Sequence, residues 1–282
     1  MKPILILFFL FAGLTYSQTI TARQVIDRIH EHLGVSLPAS TVDTIKAGSP
    51  DTPVKGIAVT MMATYDVLQR AARSGANLVI THEPTFYNHL DDTKELSNRS
   101  DPVLRAKQEL IEQHKLVVWR FHDGWHRHDP DGILLGMTKA LGWTSFARRD
   151  DPRLFTVPAT SLRALAASAA QKLSIQNVRV VGDPNLEVTH VAMQPGAAGP
   201  SRQIALLERD DVEALVIGEV PEWETIEYVA DAASQGKHKA LILLGHIPSE
   251  QAGMEECVRW LKQFISEVPV VFIPAREPFW RP

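Results

Sequence analysis

Leu78-Val79-Ile80-Thr81-His82-Glu83-Pro84 is the stretch whose reading decides the fold. A short apolar run bounded by turn signals reads as a buried strand. Here the run empties into a histidine and a carboxylate just before a proline. Leu241-Ile242-Leu243-Leu244-Gly245-His246-Ile247-Pro248-Ser249-Glu250 repeats the arrangement. In open α/β sheets, ligands sit just outside the carboxyl ends of strands. His82, Glu83, His246 and Glu250 therefore stand where an α/β protein builds a site. The approaches are alike as well. Ala71-Ala72-Arg73-Ser74-Gly75 precedes one strand and Ala232-Ala233-Ser234-Gln235-Gly236 the other, each reading as a helix end with a glycine cap. Two related halves presenting ligands to one cleft are expected.

Working outward, Thr21-Ala22-Arg23-Gln24 is a capping-box pattern. Val25, Ile26, Ile29 and Leu33 follow at helical spacing before Gly34. Gly56 to Met61 reads as a strand, and a helix starts at Thr64. Residues 35–54 and 83–100 read as loops. Asp101-Pro102 opens another helix, with proline at its first position. The strand from Lys115 to Phe121 empties into a third metal-capable cluster, His122-Asp123-Gly124-Trp125-His126-Arg127-His128-Asp129-Pro130-Asp131-Gly132. A helix over 133–142 and a connector over 144–158 follow.

The second half begins with a helix near Thr160, then strands near 178–181, 188–193 and 214–217. A helix over about 222–235, the strand to Gly245, a helix over about 248–266 and a strand over 268–273 complete it. Alternating strands and helices imply an α/β class. The expected division is an N-terminal α/β half, 18–150, and a C-terminal α/β half, 151–282.

The 282 residues carry a formal net charge of −4 and no basic block, which argues against nucleic acid as a partner. The single cysteine, Cys257, lies in an amphipathic stretch and reads as a small buried hydrophobe. At the N-terminus, Lys2 precedes the apolar run Ile4–Leu14, with Thr15 and Ser17 behind it. A basic residue, an apolar core and small residues at a cleavage point describe a secretory signal peptide. Residues 1–17 are therefore expected to be removed, leaving a periplasmic or secreted protein without stable membrane association.

Imidazole and carboxylate together suit divalent zinc, iron, manganese, cobalt or nickel. The sequence has no phosphate-loop glycine motif and no Gly-x-Ser-x-Gly nucleophile turn. Three metal-capable clusters, each after a strand, point to one or two divalent ions.

These residues resemble the GTP cyclohydrolase I type 2-like family, also called Nif three-like. The glycine-capped helix, strand and histidine motif appear as Gly75 through Pro84, and the Gly-His-x-x-x-Glu motif as Gly245, His246 and Glu250. Ile217-Gly218-Glu219 and the run from Asn177 to Asp183 also resemble family segments. Glu83 stands at a family histidine and His126 at a family aspartate, so one acid and one histidine are exchanged. His122, Asp123, His128 or Asp129 are alternatives to His126.

The resemblance implies two related α/β halves of the Nif three-like fold, with a metal site in the cleft between them. It also implies self-association, as a homohexamer. His82, Glu83, His126, His246 and Glu250 would hold one or two divalent ions, with Glu250 as the catalytic, proton-steering carboxylate. The implied activity is metal-dependent hydrolysis of an unknown small-molecule substrate by metal-activated water. Non-catalytic metal binding or delivery, or a structural oligomer with a vestigial site, are the alternatives. An exported protein meets little GTP, so the cyclohydrolase activity itself is not carried over.

Overall fold

The computed structural model describes residues 19–282, and the signal peptide expected over 1–17 lies outside the described residues. The chain runs α1 (Ala22–Leu33), β1 (Ile45–Ala47), β2 (Ile57–Met62), α2 (Tyr65–Arg73), β3 (Leu78–Glu83), α3 (Lys94–Asn98), α4 (Pro102–Gln113) and β4 (Val117–Arg120). It continues with α5 (Asp123–Arg127), α6 (Gly132–Ala140), β5 (Leu154–Ser161), α7 (Leu162–Leu173), β6 (Arg179–Val181) and β7 (Glu187–Gln194). Then follow α8 (Pro200–Leu207), β8 (Ala214–Ile217), α9 (Glu227–Ser234), β9 (Ala240–Leu243), α10 (His246–Leu261) and β10 (Val270–Phe272).

Local chemistry explains the boundaries. Thr21 accepts from the backbone N–H of Gln24 while the Gln24 side chain reaches back, and left-handed Gly34 ends α1. The Thr64 and Asp101 side chains accept backbone N–H groups at the starts of α2 and α4, without a reach-back partner, and Asp101 has Pro102 behind it. Strands β2 and β3 are almost wholly buried, which suits parallel strands covered on both faces.

Two five-stranded sheets result, ordered β1-β4-β3-β2-β10 and β5-β7-β8-β9-β6. In the first, β4, β3, β2 and β10 are parallel and β1 is antiparallel to β4. In the second, β7, β8 and β9 are parallel and β6 is antiparallel to β9. The series α1-β1-β2-α2-β3-α4-β4 thus recurs as α7-β6-β7-α8-β8-α9-β9, with spatial orders β1-β4-β3-β2 and β6-β9-β8-β7. The two expected related halves are present, but their correspondence is offset from the sequence likeness. Strand β3, carrying His82, is equivalent to β8 and not to β9. The strand that leads to His246 matches β4, which leads to His122.

The C-terminal segment crosses the division expected at 150/151. Strand β10 pairs with β2 in the first sheet, and Met254, Cys257 and Leu261 of α10 are buried in that sheet's core. Helix α6, from before the division, contributes Leu134 and Met137 to the core of the second sheet, and Leu141 just after it joins them. The two exchanged helices meet at glycines. A Cβ on Gly136 would lie 2.5 Å from Gly253 Cα, so the backbones touch. This contact ties the two lobes together. Among the described residues no helix is long and apolar enough to cross a membrane.

Candidate metal centre

Each wall of the cleft brings histidines and carboxylates from strand ends. His82 and Glu83 are the last residues of β3, and both side chains reach the centre. The strand runs through Glu83 rather than stopping at His82, so convergence comes from the length of the glutamate side chain at the strand's open end. Arg120 of β4 fixes that glutamate: its Nη2 lies 3.2 Å from Glu83 Oε2, and its Nε donates to the His82 carbonyl at 3.1 Å. Beyond β4, buried Asp43 accepts from the backbone N–H groups of His122, Asp123 and Gly124 at 2.7–2.8 Å. That carboxylate sets the start of α5 and so aims His122 and His126. From the other lobe, α10 begins at His246, which puts His246 and Glu250 on one face a turn apart.

The histidines are oriented alike. Nδ1 of His82 lies 3.2 Å from the Phe121 carbonyl, that of His122 2.9 Å from Asp123 and that of His126 3.0 Å from Asp131. Nδ1 of His246 lies 2.9 Å from Glu219, which follows β8. With Nδ1 occupied by an acceptor, Nε2 is the atom left to face the cleft. An acceptor on Nδ1 fixes the tautomer and the ring orientation of a metal-binding imidazole in this way. Ligand atoms of His82, His122 and His126 lie within 4.8 Å of one another, as do those of His82, Glu83 and Glu250. His246 Nε2 lies 3.2 Å from both Glu83 Oε1 and Glu250 Oε2.

Nε2 of His82, Nε2 of His246 and Oε2 of Glu250 are nonetheless buried without a hydrogen-bond partner. Orphaned buried polar atoms are costly. Here they converge with donor types that suit a divalent cation, so the residues fit a metal.

The electrostatics agree. Burial, then the neighbouring His126 and His122, pushes His82 well below the ordinary histidine value, keeping its ring neutral. Burial and His126 also lower His122. Burial opposes charge on His126, but Asp131 prevails and raises it. At His246 burial is likewise overcome: Glu219, Glu250 and Glu83 push it up to about 12. A proton at its Nε2, facing Glu83 and Glu250, occupies the place a cation would take.

The cleft beside these groups has a volume of about 860 Å³ and is lined by Glu83, His122, His126, His246 and Glu250. All five sequence-derived ligands, His82, Glu83, His126, His246 and Glu250, are brought together. His122, held as an alternative to His126, joins the set beside it rather than replacing it. Asp123 serves His122 and the Thr41 hydroxyl. His128 turns away, its Nδ1 2.9 Å from the Pro130 carbonyl and its ring against Trp125 and Trp260. Asp43 and Arg120 were not singled out in the sequence, and Asp131 stood only as a member of the 122–132 cluster, with no role of its own. Only Asp131, before Gly132 at a helix start, has a local signal, and that signal is for capping.

A histidine and carboxylate cluster in the cleft between two α/β lobes defines a candidate metal-centre protein of the α/β class. The chain belongs to the Duf34/NIF3 (NGG1p interacting factor 3) family, whose model matches residues 20–278. No curated protein matches the sequence. Among solved structures, Staphylococcus aureus protein SA1388 superposes with a TM-score of 0.72 at 17% identity, covering 93% of this chain and 99% of its own. A Bacillus cereus protein related to NIF3 gives 0.72 at 13% identity, covering 94% and 99%. Reduced HcgD from Methanocaldococcus jannaschii gives 0.66 at 12% identity, covering 90% and 98%. At these identities the likeness is one of fold.

Proposed function

We propose that this protein is a metal-dependent hydrolase of a small molecule, with His82, Glu83, His122, His126, His246 and Glu250 holding two divalent cations. One observation carries the reading: four imidazoles have Nδ1 occupied by an acceptor while the unpartnered atoms of His82, His246 and Glu250 meet in one cleft. His82, with one free nitrogen, can serve only one cation, but the donors of the two triads together with His246 are enough in number for two. The mixed imidazole and carboxylate set suits zinc, iron, manganese, cobalt or nickel. A divalent cation with an open position acts as a Lewis acid and lowers the pKa of water towards ~7.

The protein's own groups supply the rest. Glu250, 2% exposed and with Oε2 unpartnered, is the carboxylate positioned to accept and return a proton at the cleft floor. Arg120 holds Glu83 in place, and Glu219 holds His246. On this reading residues 1–17 export the chain, its substrate is extracytoplasmic and it works as a homo-oligomer.

Elemental analysis of protein purified without chelator tests the reading. The wild type is expected to carry bound divalent metal, and His82→Ala and His246→Ala much less. Equal metal in wild type and His246→Ala refutes the ligand set. Metal loss without loss of any hydrolysis would favour metal handling over catalysis.

A further inference from the structure

A second cavity of about 540 Å³ opens on the other side of the Glu83–His246 pair, walled by Met62, Tyr65, Pro84, Tyr87 and His89 and reached by Lys107. By area its lining is mostly apolar and aromatic, with Thr64, Glu83, Asn88 and His246 among its polar members, and its size suits a small molecule. Lys107 is the unusual member. It projects from α4, is 4% exposed, and donates to the Thr85 carbonyl. Its Nζ stands 5.0 Å from the Tyr87 ring centroid and 5.9 Å from that of Phe86.

An ammonium has three N–H groups, and the Thr85 carbonyl is its single hydrogen-bond acceptor among the described residues. No carboxylate of the described residues lies within 4.0 Å of it. Asp91, the acid whose charge reaches it, is already shared. It lies 3.4 Å from Lys46 Nζ and 3.8 Å from Arg120 Nη1, and accepts from the backbone N–H groups of Thr85 and Phe86. Glu83 is committed to Arg120 and to the metal centre. Three cations with buried side chains, Lys46, Arg120 and Lys107, thus face two carboxylates with buried side chains, Asp91 and Glu83. A buried charge without its counter-ion is costly. Burial accordingly brings Lys107 down to about 8, against the pull of Asp91.

We infer that this cavity receives a small molecule with an anionic group, carboxylate or phosphate, on an apolar or aromatic frame, the anion taken by Lys107 and the frame held between Tyr65 and Tyr87. The cavity and the main cleft share Glu83, His89 and His246, so such a ligand has its far end at the metal centre. The inference rests on the metal-centre reading only in making this ligand the substrate; binding itself needs no metal.

The test is calorimetric binding to the whole protein, with and without chelation, using hydrocinnamate, phenyl phosphate and the neutral hydrocinnamide. Wild type is expected to bind at least one acid more tightly than the amide by about tenfold or more. Whichever acid binds better identifies the anion. Lys107→Met should lose that preference and Lys107→Arg keep most of it, with the metal content of both unchanged. Acid and amide binding alike, preference surviving in Lys107→Met, or no binding of either acid overturns the inference. The wild-type acid-to-amide ratio needs no variant and stands if Lys107→Met fails to fold. Selective acid binding by chelated protein stands even if the metal reading fails.

Discussion

His246 Nδ1 lies 2.9 Å from Glu219 Oε1, so the α10 histidine is held by the residue just past the end of β8. The contact joins two strand ends of one lobe, and it decides which imidazole nitrogen is left for the cleft. Glu219 is half exposed and caps no helix, so its loss should leave the fold standing. Acceptors that hold the far nitrogen of a metal-binding histidine typically matter by about 10–100-fold in metal affinity. Glu219→Ala is expected to weaken metal binding by about that factor while the metal-free melting temperature stays close to wild type. Titration against a competing chelator, beside a thermal melt, checks both halves. Unchanged affinity would remove Glu219 from the site.

The charge state of His246 gives a pH prediction. In the metal-free fold, burial opposes the imidazolium but three carboxylates raise it from 6.5 to about 12. A group raised on folding contributes stability that is fully present below its unfolded value and is lost as pH rises through its folded value. For His246 that window runs from about 6.5 towards about 12. Near neutral pH the metal-free protein thus holds a proton that a cation at Nε2 must displace. Metal uptake is expected to release about one proton from this site. Calorimetric titrations in buffers of different ionisation enthalpy measure the number, and His246→Ala should reduce it by about one.

Much of this was legible from sequence because both parts of the pattern are local. An apolar run ending in a histidine marks a buried strand and its site at once, which is why His82, Glu83, His246 and Glu250 were found. Helix α1 was legible from its capping box, and Cys257 as a buried hydrophobe from its amphipathic setting. What was missed depends on pairing at a distance. Strand β1 is three half-buried residues that exist by hydrogen bonding to β4, and β5 lies in what reads as a charged connector. The exchange of α6 and α10 between lobes, and of β10 to the first sheet, leaves no mark in local periodicity. The offset between halves is similar. The glycine-capped helices before β3 and β9 look alike because both must end and turn into a buried strand. Strand order, not that likeness, sets equivalence. Asp43 and Arg120 were invisible for the same reason, their partners being 79 and 37 residues away.

Gly196 supplies a steric test of the centre. Its φ is +68°, a region that side chains adopt rarely. A Cβ there would lie 2.1 Å from Glu250 Oε1. Its N–H also bonds to the Ser249 hydroxyl at 3.0 Å, so the turn is fixed against the start of α10. Gly196→Ala must either move Glu250 or shift the turn. The expected cost is about 1–3 kcal/mol in stability, together with weaker metal binding. Denaturant unfolding and metal titration read the two effects. A stable variant with wild-type affinity would show that Glu250 can move without cost and is not a fixed ligand.

Arg120 offers the sharpest test of the polar layer beneath the centre. It is fully buried and bonds the His82 and His89 carbonyls and the Glu83 carboxylate, while Asp91 lies 3.8 Å away. Arg120→Met keeps most of the volume but removes the cation that Glu83 and Asp91 share. Breaking a buried pair from one side typically costs about 3–5 kcal/mol, because the remaining charge is left unpaired. A loss of that size is expected in the metal-free protein by denaturant unfolding. Excess divalent metal should restore part of it, since a cation at Glu83 compensates the charge that Arg120 no longer meets. Arg120→Lys should fall between the two, supplying charge without the planar fork that reaches several acceptors at once. A metal-independent loss in Arg120→Met would mean that Glu83 does not contact the cation, and would confine the centre to the remaining ligands.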